Sequence, residues 1–253
     1  MDTQILREIH EELKELNRSK EHYDIIVSKN ETDFTTVFNP PLELRSKRGY
    51  EIAMIDLETF YSFYNITEKN NIIKYENNGR IKTITIPPGS YEMKGLNKEI
   101  MRQLSSNGDT KAFFLFPNSN TFKSILKINT GYTVRFSHEN SIKKILGFTQ
   151  DSYNAGIHHS EKLVNILSIN SIFVHINVVN GSIVNGIKNP VIYTFFPKVS
   201  PGFKIIQRPV NPIYLPIPLT SIRDFHVKLT DQDNNILDNN GEKLTIRFHV
   251  RER

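Results

Sequence analysis

Cysteine is absent from this 253-residue chain, and so is tryptophan. Without cysteine there is no disulfide framework, no thiolate metal site and no cysteine nucleophile. Long apolar runs are missing too, because no stretch approaches the roughly 18 residues that predict a membrane-spanning helix. The first residues include Arg7, Glu8 and Glu11, so they lack the apolar core of a signal peptide. We therefore expect a protein that is assembled inside the cell and is not secreted.

Motifs of known enzymes are incomplete or missing. No G-x-S-x-G nucleophile elbow is present. Gly181 and Gly186 have the glycine spacing of a phosphate loop, but Lys188 comes one place late and no Ser or Thr follows. Residues 10–11, His-Glu, begin like a zincin helix, but Lys14 stands where the second ligand should be. The sequence therefore predicts no enzyme and no cofactor.

One polar segment has part of a calcium-loop pattern. Asp231, Asp233, Asn235 and Glu242 occupy positions 1, 3, 5 and 12 of such a loop, but Ile236 stands where glycine is needed. The flanking segments are predicted strands and not helices, which favours a polar loop whose Asp and Asn residues form turns. We predict no metal site here.

The eight histidines are dispersed along the chain. The neighbours His158 and His159 have rings that diverge, which argues against a metal pair. His175, His226 and His249 fall in predicted strands, where a hydrogen-bonded or surface histidine is the common case. We predict no catalytic, cofactor-binding or metal-binding residue anywhere in the chain.

The net charge of +5 comes from scattered lysines and arginines, with the densest cluster at Arg45, Lys47 and Arg48. Two interpretations stay open. The cluster is either an ordinary solvated surface or a contact with nucleic acid or an acidic partner.

What the chain does contain is 16 Phe, 10 Tyr and many strand patterns. In Pro190–Leu229, aromatic and β-branched residues alternate with polar ones, as they do in half-buried strands. Proline cannot donate a ladder hydrogen bond, so the prolines here must lie at edges, strand ends or loop corners. They are Pro197, Pro201, Pro209, Pro212, Pro216 and Pro218. Short strands joined by stiff connections are typical of a β-sandwich or jelly roll.

Other strands are predicted from the same alternation. Asn77-Asn78-Gly79 indicates a hairpin, because Asn and Gly accept positive φ. Asn39-Pro40-Pro41 is expected to end a strand, and the last two strands are expected to pair across the loop Thr230–Glu242. The predicted strands are Tyr23–Ser28, Phe34–Phe38, Tyr50–Tyr64, Ile72–Glu76, Arg80–Ile86, Ala112–Phe116, Phe122–Asn129, Tyr132–Phe136, part of Leu163–Val179, Ile222–Leu229 and Lys243–Val250.

Three helices are predicted. Residues 3–22 form an amphipathic helix, with its apolar side chains on one face. A second helix follows Tyr91, with Ser90 as a candidate cap. A third spans Ser137–Gly147, with Ser137 as N-cap and Gly147 just beyond its C-terminus.

No repeat and no linker divides the chain. We therefore predict an all-β fold with two parts, an N-terminal amphipathic helical extension (1–22) and a single jelly-roll domain (23–253). Helices at only two connections favour a jelly roll over any βαβ fold.

Four segments resemble a known family. They are IPPGSYE (Ile86 to Glu92), IKKILGF (Ile142 to Phe148), YTFFPKVSPGFKIIQRP (Tyr193 to Pro209) and DQDNNILDNNGEKLTIRFHVR (Asp231 to Arg251). In order and spacing they resemble the penton, or minor capsid, protein of Polinton/Maverick transposable elements and adintovirus-like viruses. The resemblance covers roughly residues 50 to 253.

The resemblance implies a structural virion protein with no catalytic residues. Its fold would be a single jelly roll of eight strands in two four-stranded antiparallel sheets. Five copies would form a homopentameric capsomer at each icosahedral fivefold vertex, beside a double-jelly-roll major capsid protein.

Two stretches are candidate contact surfaces, the Pro209–Pro218 segment and the Arg45–Arg48 loop, although each is also compatible with an ordinary loop. The acidic balance of residues 1–22 argues against direct contact with nucleic acid. The alternatives are a jelly-roll module that binds a glycan, a basic nucleic-acid-binding protein, and an enzyme with carboxylates or histidines converging in a cleft.

Overall fold

The computed structural model describes residues 20–166 and 169–253. Most of the helix predicted at 3–22 lies outside these residues, and His22, its predicted last residue, begins the first strand. The strands are β1 His22–Lys29, β2 Asp33–Glu43, β3 Tyr50–Phe60, β4 Ile72–Asn77, β5 Arg80–Thr85, β6 Phe113–Asn118, β7 Lys123–Ile128, β8 Tyr132–Arg135, β9 Ser152–Tyr153, β10 Gly156–His159, β11 Ile172–Ile176, β12 Ser182–Val184, β13 Ile187–Asn189, β14 Val191–Phe195, β15 Lys204–Gln207, β16 Leu215–Ile217, β17 Ser221–Thr230 and β18 Leu244–Glu252. The helices are α1 Met93–Ser106 and α2 Lys143–Leu146.

The range 23–253, predicted as one domain, divides into two compact units. Unit 1 combines the described residues up to Tyr61 with Ser171–Arg253, and unit 2 is Ser62–Asn170. The chain passes between the units at 61–62 and 170–171 without a proline- or glycine-rich linker, so composition carried no sign of the division. Neither helix in the described residues is long and apolar enough to cross a membrane.

Unit 1 has the strand order of a jelly roll. One sheet has the order β1-β18-β3-β15, with β16 also on β3, and the other has the order β14-β11-β17-β2. With β15 and β16 counted as one interrupted strand, and the small β12–β13 hairpin set aside, eight strands pair in a nested way. The first pairs with the eighth, the second with the seventh, the third with the sixth and the fourth with the fifth. This nesting confirms the predicted all-β jelly-roll fold.

The core of unit 1 lies between its two sheets. The ring of Phe225 on β17 meets that of Phe248 on β18 edge to face, with 5.2 Å between centroids, and both side chains are fully buried. Their buried neighbours are the apolar residues that alternate along the strands, including Ile25, Val27, Ile52, Met54, Leu57, Val174, Ile176, Val227, Leu229, Ile246 and Val250. The period-2 pattern of the sequence thus becomes two inward faces packed on each other.

Two strand predictions in unit 1 are wrong. β17 and β18 do not pair with each other, because consecutive strands at this point pass to opposite sheets. β2 does not end at the Asn-Pro-Pro segment but continues to Glu43. Its ladder with β17 is interrupted between Val37 and Leu42. Proline is tolerated there because β2 is an edge strand.

Unit 2 combines two small antiparallel sheets with the two helices. The sheets have the orders β5-β4-β8-β9 and β10-β7-β6. Met93, Leu96, Ile100 and Leu104 form the buried face of α1. They join a core that includes Ile73, Tyr75, Ile84, Phe113, Leu126, Val134, Phe136, Leu146, Phe148 and Tyr153.

The local signals in unit 2 are partly confirmed. Asn78 (φ 50°) and Gly79 (φ 76°) form the turn of the β4–β5 hairpin, as predicted. The helix after Tyr91 also forms, but Ser90 does not cap it, because its hydroxyl donates to the carbonyl of Phe63 at 3.0 Å. The N-cap position of α1 is instead Glu92.

The third predicted helix is much shorter than expected. Only Lys143–Leu146 is helical, and Ile142, not Ser137, occupies the N-cap position. The preceding backbone pairs with β4 instead, since Ile72 donates to the carbonyl of Asn140 at 2.9 Å. Gly147 is left-handed after the helix, as predicted.

Candidate assembly surface

The Pro209–Pro218 segment lies at one edge of the larger sheet of unit 1. It contains β16, and the connection of residues 208–214 joins that strand to β15. Both strands pair with β3, β15 at its end and β16 at its start. The connection therefore bridges the part of β3 between Ile52 and Leu57 along the sheet edge.

Side chains fix both ends of this connection. At the first end, Arg208 lies 3.5 Å from the Asp56 carboxylate and 3.6 Å from that of Glu58. At the second end, Tyr214 and His249 are hydrogen-bonded at 2.8 Å between Oη and Nδ1. The guanidinium of Arg251 lies 3.6 Å from the centroid of the Tyr214 ring, a cation–π contact. Fixed φ at the prolines between these anchors further limits the shape of the loop.

The anchored connection and its neighbouring chain expose large apolar side chains. Val210 is 94% exposed and Ile213 is 72% exposed. We call five exposed residues the apolar rim, and they are Phe196, Phe203, Ile206, Val210 and Ile213. Single exposed apolar residues are ordinary, whereas five within residues 196–213 suggest a contact surface.

The Arg45–Arg48 loop is held at its centre and exposed at its basic residues. The Ser46 hydroxyl donates to the Glu252 carboxylate, and the backbone N–H of Gly49 donates to the carbonyl of Ser46 at 3.1 Å. Arg45, Lys47 and Arg48 are exposed. The loop is thus a fixed turn that displays three cations.

Burial raises the pKa of a tyrosine that follows this loop in the chain. Tyr50, at the start of β3, donates its hydroxyl to the Glu21 carboxylate. Burial, followed by this hydrogen bond to a carboxylate, raises the pKa of Tyr50 to about 12. Tyr50 therefore stays neutral at physiological pH and acts as a structural donor.

The two glycines with phosphate-loop spacing lie in a hairpin. Gly181 precedes β12, and Gly186 (φ 81°) follows Asn185 (φ 50°) in the turn between β12 and β13. A strand follows the second glycine, so no helix N-terminus is present to face a phosphate. The structure does not bring these residues together as a nucleotide site.

The calcium-like segment forms turns. The Asp231 carboxylate accepts hydrogen bonds from the backbone N–H groups of Asp233 at 2.9 Å and Asn235 at 2.8 Å. This is the Asx-turn arrangement in which an aspartate bonds the backbone just after it. Ile236, at the position where a calcium loop needs glycine, forms a β-bridge with Thr230.

The strand histidines each have hydrogen-bond partners. Buried His175 contacts Asn189 Oδ1 at 3.0 Å and Thr230 Oγ1 at 2.9 Å, and burial lowers its pKa. His226 lies 2.6 Å from Asp33. Within residues 20–166 and 169–253, no three His, Asp or Glu side chains are grouped to hold a metal ion.

Sequence reasoning missed Phe196 and Phe203 as surface residues. Both were assigned to the strand pattern of the proline-rich stretch, yet they are 57% and 64% exposed. Phe196 precedes Pro197, and Phe203 follows Pro201-Gly202. Proline and glycine interrupt the alternation of a strand. An aromatic residue directly beside them therefore indicates a loop.

Comparisons with known proteins return structural matches but no sequence match. No protein-family model matches the chain, and no curated protein sequence matches it. A crystal structure of the mavirus penton protein is similar over 93% of this chain and 100% of its own, with a TM-score of 0.47 and 10% identity. The jelly-roll assignment rests on the strand order of unit 1 and not on this likeness.

Proposed function

We propose that this chain is a penton subunit, a structural virion protein of which five copies form the capsomer at an icosahedral fivefold vertex. The observation that carries the proposal is the nested strand order of unit 1 combined with its exposed apolar rim. Jelly rolls of this type are common in viral capsid proteins. The four family-like segments of the sequence support the same assignment.

A ring of identical subunits needs one heterologous contact whose rotation closes after five copies. The contact surface must therefore keep its shape. The connection of residues 208–214 meets that need, because Arg208 and Tyr214 anchor its ends. A preformed loop also loses less conformational entropy on assembly. We assign Val210 and Ile213 to the contact between neighbouring subunits.

The proposed role is non-catalytic and places the protein in the virion, after assembly inside the host cell. Its other neighbour would be the double-jelly-roll major capsid protein. The sequence resemblance is the support for that partner.

The test is the oligomeric state of the purified protein, alone and with the shell protein. Light scattering should give five times the 29.3 kDa subunit mass, and negative-stain images should show fivefold rings. The variant Val210→Ser/Ile213→Ser should shift the population towards monomer by at least about tenfold, since two exposed anchors lose their apolar contacts.

A matched control comes from the β12–β13 hairpin of the same unit. Ile183 and Ile187 are each 70% exposed, and Ile183→Ser/Ile187→Ser should leave the rings intact. A monomer under every assembly condition would count against the penton role. A monomer that binds a glycan would favour a ligand-binding jelly roll instead.

A further inference from the structure

A cavity of about 510 Å³ lies in unit 1, where the start of β1, the start of β3 and the end of β18 meet. These ends coincide because the strands are antiparallel: His22 pairs with Arg251, and Tyr50 pairs with Glu252. None of the apolar-rim residues lines this cavity, although His249 and Arg251 in its wall also contact Tyr214. Its volume is within the range of about 300–1,000 Å³ that is usual for ligand sites.

The carboxylates in the cavity wall are engaged by the protein itself. Glu51 accepts a hydrogen bond from Arg251 Nε at 2.7 Å. Glu252 accepts from the Ser46 hydroxyl and from the backbone N–H of Glu21 at 3.3 Å. These contacts neutralise part of the negative charge before any ligand arrives.

Two cations in the wall are differently placed. Lys20 and Arg253 are exposed, and neither forms an ion pair with any residue in the described part of the chain. Side chains in this position can attract an anionic group without first breaking an ion pair to residues 20–166 or 169–253.

The basic loop extends this charge beyond the cavity. Ser46 contacts Glu252 in the wall, and the backbone N–H of Arg253 donates to the carbonyl of Gly49 at 3.1 Å. The wall itself holds three cations and three carboxylates, and the basic loop adds three cations. The cations are Lys20, Arg45, Lys47, Arg48, Arg251 and Arg253, and the carboxylates are Glu21, Glu51 and Glu252.

We propose that this cavity and its basic rim bind an acidic peptide segment of a partner protein. Guanidinium groups bind carboxylates through paired hydrogen bonds, which suits Arg253 and Arg48. The wall carboxylates favour a peptide over a nucleic acid. They would repel a continuous phosphate backbone but can accept hydrogen bonds from peptide N–H groups.

The experiment measures binding of a fluorescently labelled octaglutamate peptide to the full chain by anisotropy at low ionic strength. The variant Lys20→Gln/Arg253→Gln should weaken binding by at least about tenfold, which corresponds to about 1.4 kcal/mol. Because neither residue has an ion-pair partner among the described residues, thermal unfolding of the variant should match that of the parent chain.

The control removes the same charge elsewhere. Lys94 and Lys98 are exposed on α1 of unit 2, and Lys94→Gln/Lys98→Gln should leave peptide binding unchanged. Equal weakening by both variants, or no binding of the peptide, overturns the proposal. So does a single-stranded oligonucleotide of equal charge that binds more tightly and depends on Lys20 and Arg253. These readouts do not depend on ring formation, so the penton role is tested separately.

Discussion

The two units of this chain are stabilised by contacts of different range. In unit 1, β1 pairs with β18, and the registers join residues more than two hundred positions apart, such as Val27 and Ile246. In unit 2, hairpins such as β4–β5 and β6–β7 pair strands that follow each other in the chain. Loop-closure entropy makes long-range pairing slower to form. We therefore expect unit 2 to be the more locally determined part of the fold.

The second difference lies in what each core contains. The core of unit 1 is apolar between two sheets, with the ring contact of Phe225 and Phe248 at its centre. Unit 2 adds a buried charged network around Asp109 and a tight glycine contact at Gly147. Each feature allows the units to be perturbed separately.

The largest effect is expected from Phe248→Ala in unit 1. Removing a fully buried ring should lower the free energy of unfolding by about 4 kcal/mol, through lost burial and the cavity left behind. Hydrogen exchange read by mass spectrometry should show lost protection in β1, β3 and β18, with unit 2 unaffected. Equal loss of protection in both units would show that they unfold together and do not differ in local stability.

A slightly smaller effect is expected from Gly147→Ala in unit 2. Gly147 has φ 80°, and an added Cβ would lie 2.3 Å from the carbonyl oxygen of Lys162. Positive φ and this backbone clash together should cost about 3 kcal/mol in the free energy of unfolding. Urea denaturation measures that cost, and exchange should increase in residues 143–166.

The matched control is Gly95→Ala in the same unit. Gly95 lies within α1, and an added Cβ would meet no atom within 4 Å. This change should stabilise the helix by about 0.5–1 kcal/mol. A Gly147→Ala protein as stable as Gly95→Ala would mean that the 147–162 contact is not a fixed part of unit 2.

The smallest of the three effects concerns Asp109. Its carboxylate accepts hydrogen bonds from Lys82 Nζ at 2.6 Å and Tyr75 Oη at 2.8 Å. The Lys82 contact, followed by that of Tyr75, lowers the pKa of Asp109 to about 2. Asp109→Asn should cost about 2 kcal/mol of stability at neutral pH, because charge-assisted hydrogen bonds are lost.

The same residue predicts a pH dependence with a definite sign. A carboxyl whose pKa is lower in the folded state stabilises the fold above its unfolded pKa of about 3.9, and this contribution disappears as pH falls towards 2. The unfolding temperature of unit 2 should therefore fall more steeply between pH 5 and pH 2 in the parent chain than in Asp109→Asn. Asp151→Asn, at an exposed ion pair with Lys143, should change neither the stability nor the slope by a measurable amount.

Local sequence signals were sufficient for some elements of the fold and not for others. The Asn78-Gly79 turn and α1 form where local residues predicted them, because their causes lie within a few positions of the chain. Helix α2 is shorter than predicted because the backbone at Asn140 pairs with Ile72 of β4, which is far from it in sequence. The cavity beside β1 and β18 had no sequence signal at all, since Lys20 and Arg253 come from opposite ends of the described chain.

The sequence by itself determined that the chain is built from short, half-buried strands with stiff proline connections, because side-chain alternation and backbone restrictions act residue by residue. Its order of strands, the division into two units and the gathering of cations beside β1 and β18 were decided by the tertiary structure. Which strand lies beside which depends on packing two inward faces against each other. That choice is a property of the whole sheet and is not encoded at any single position.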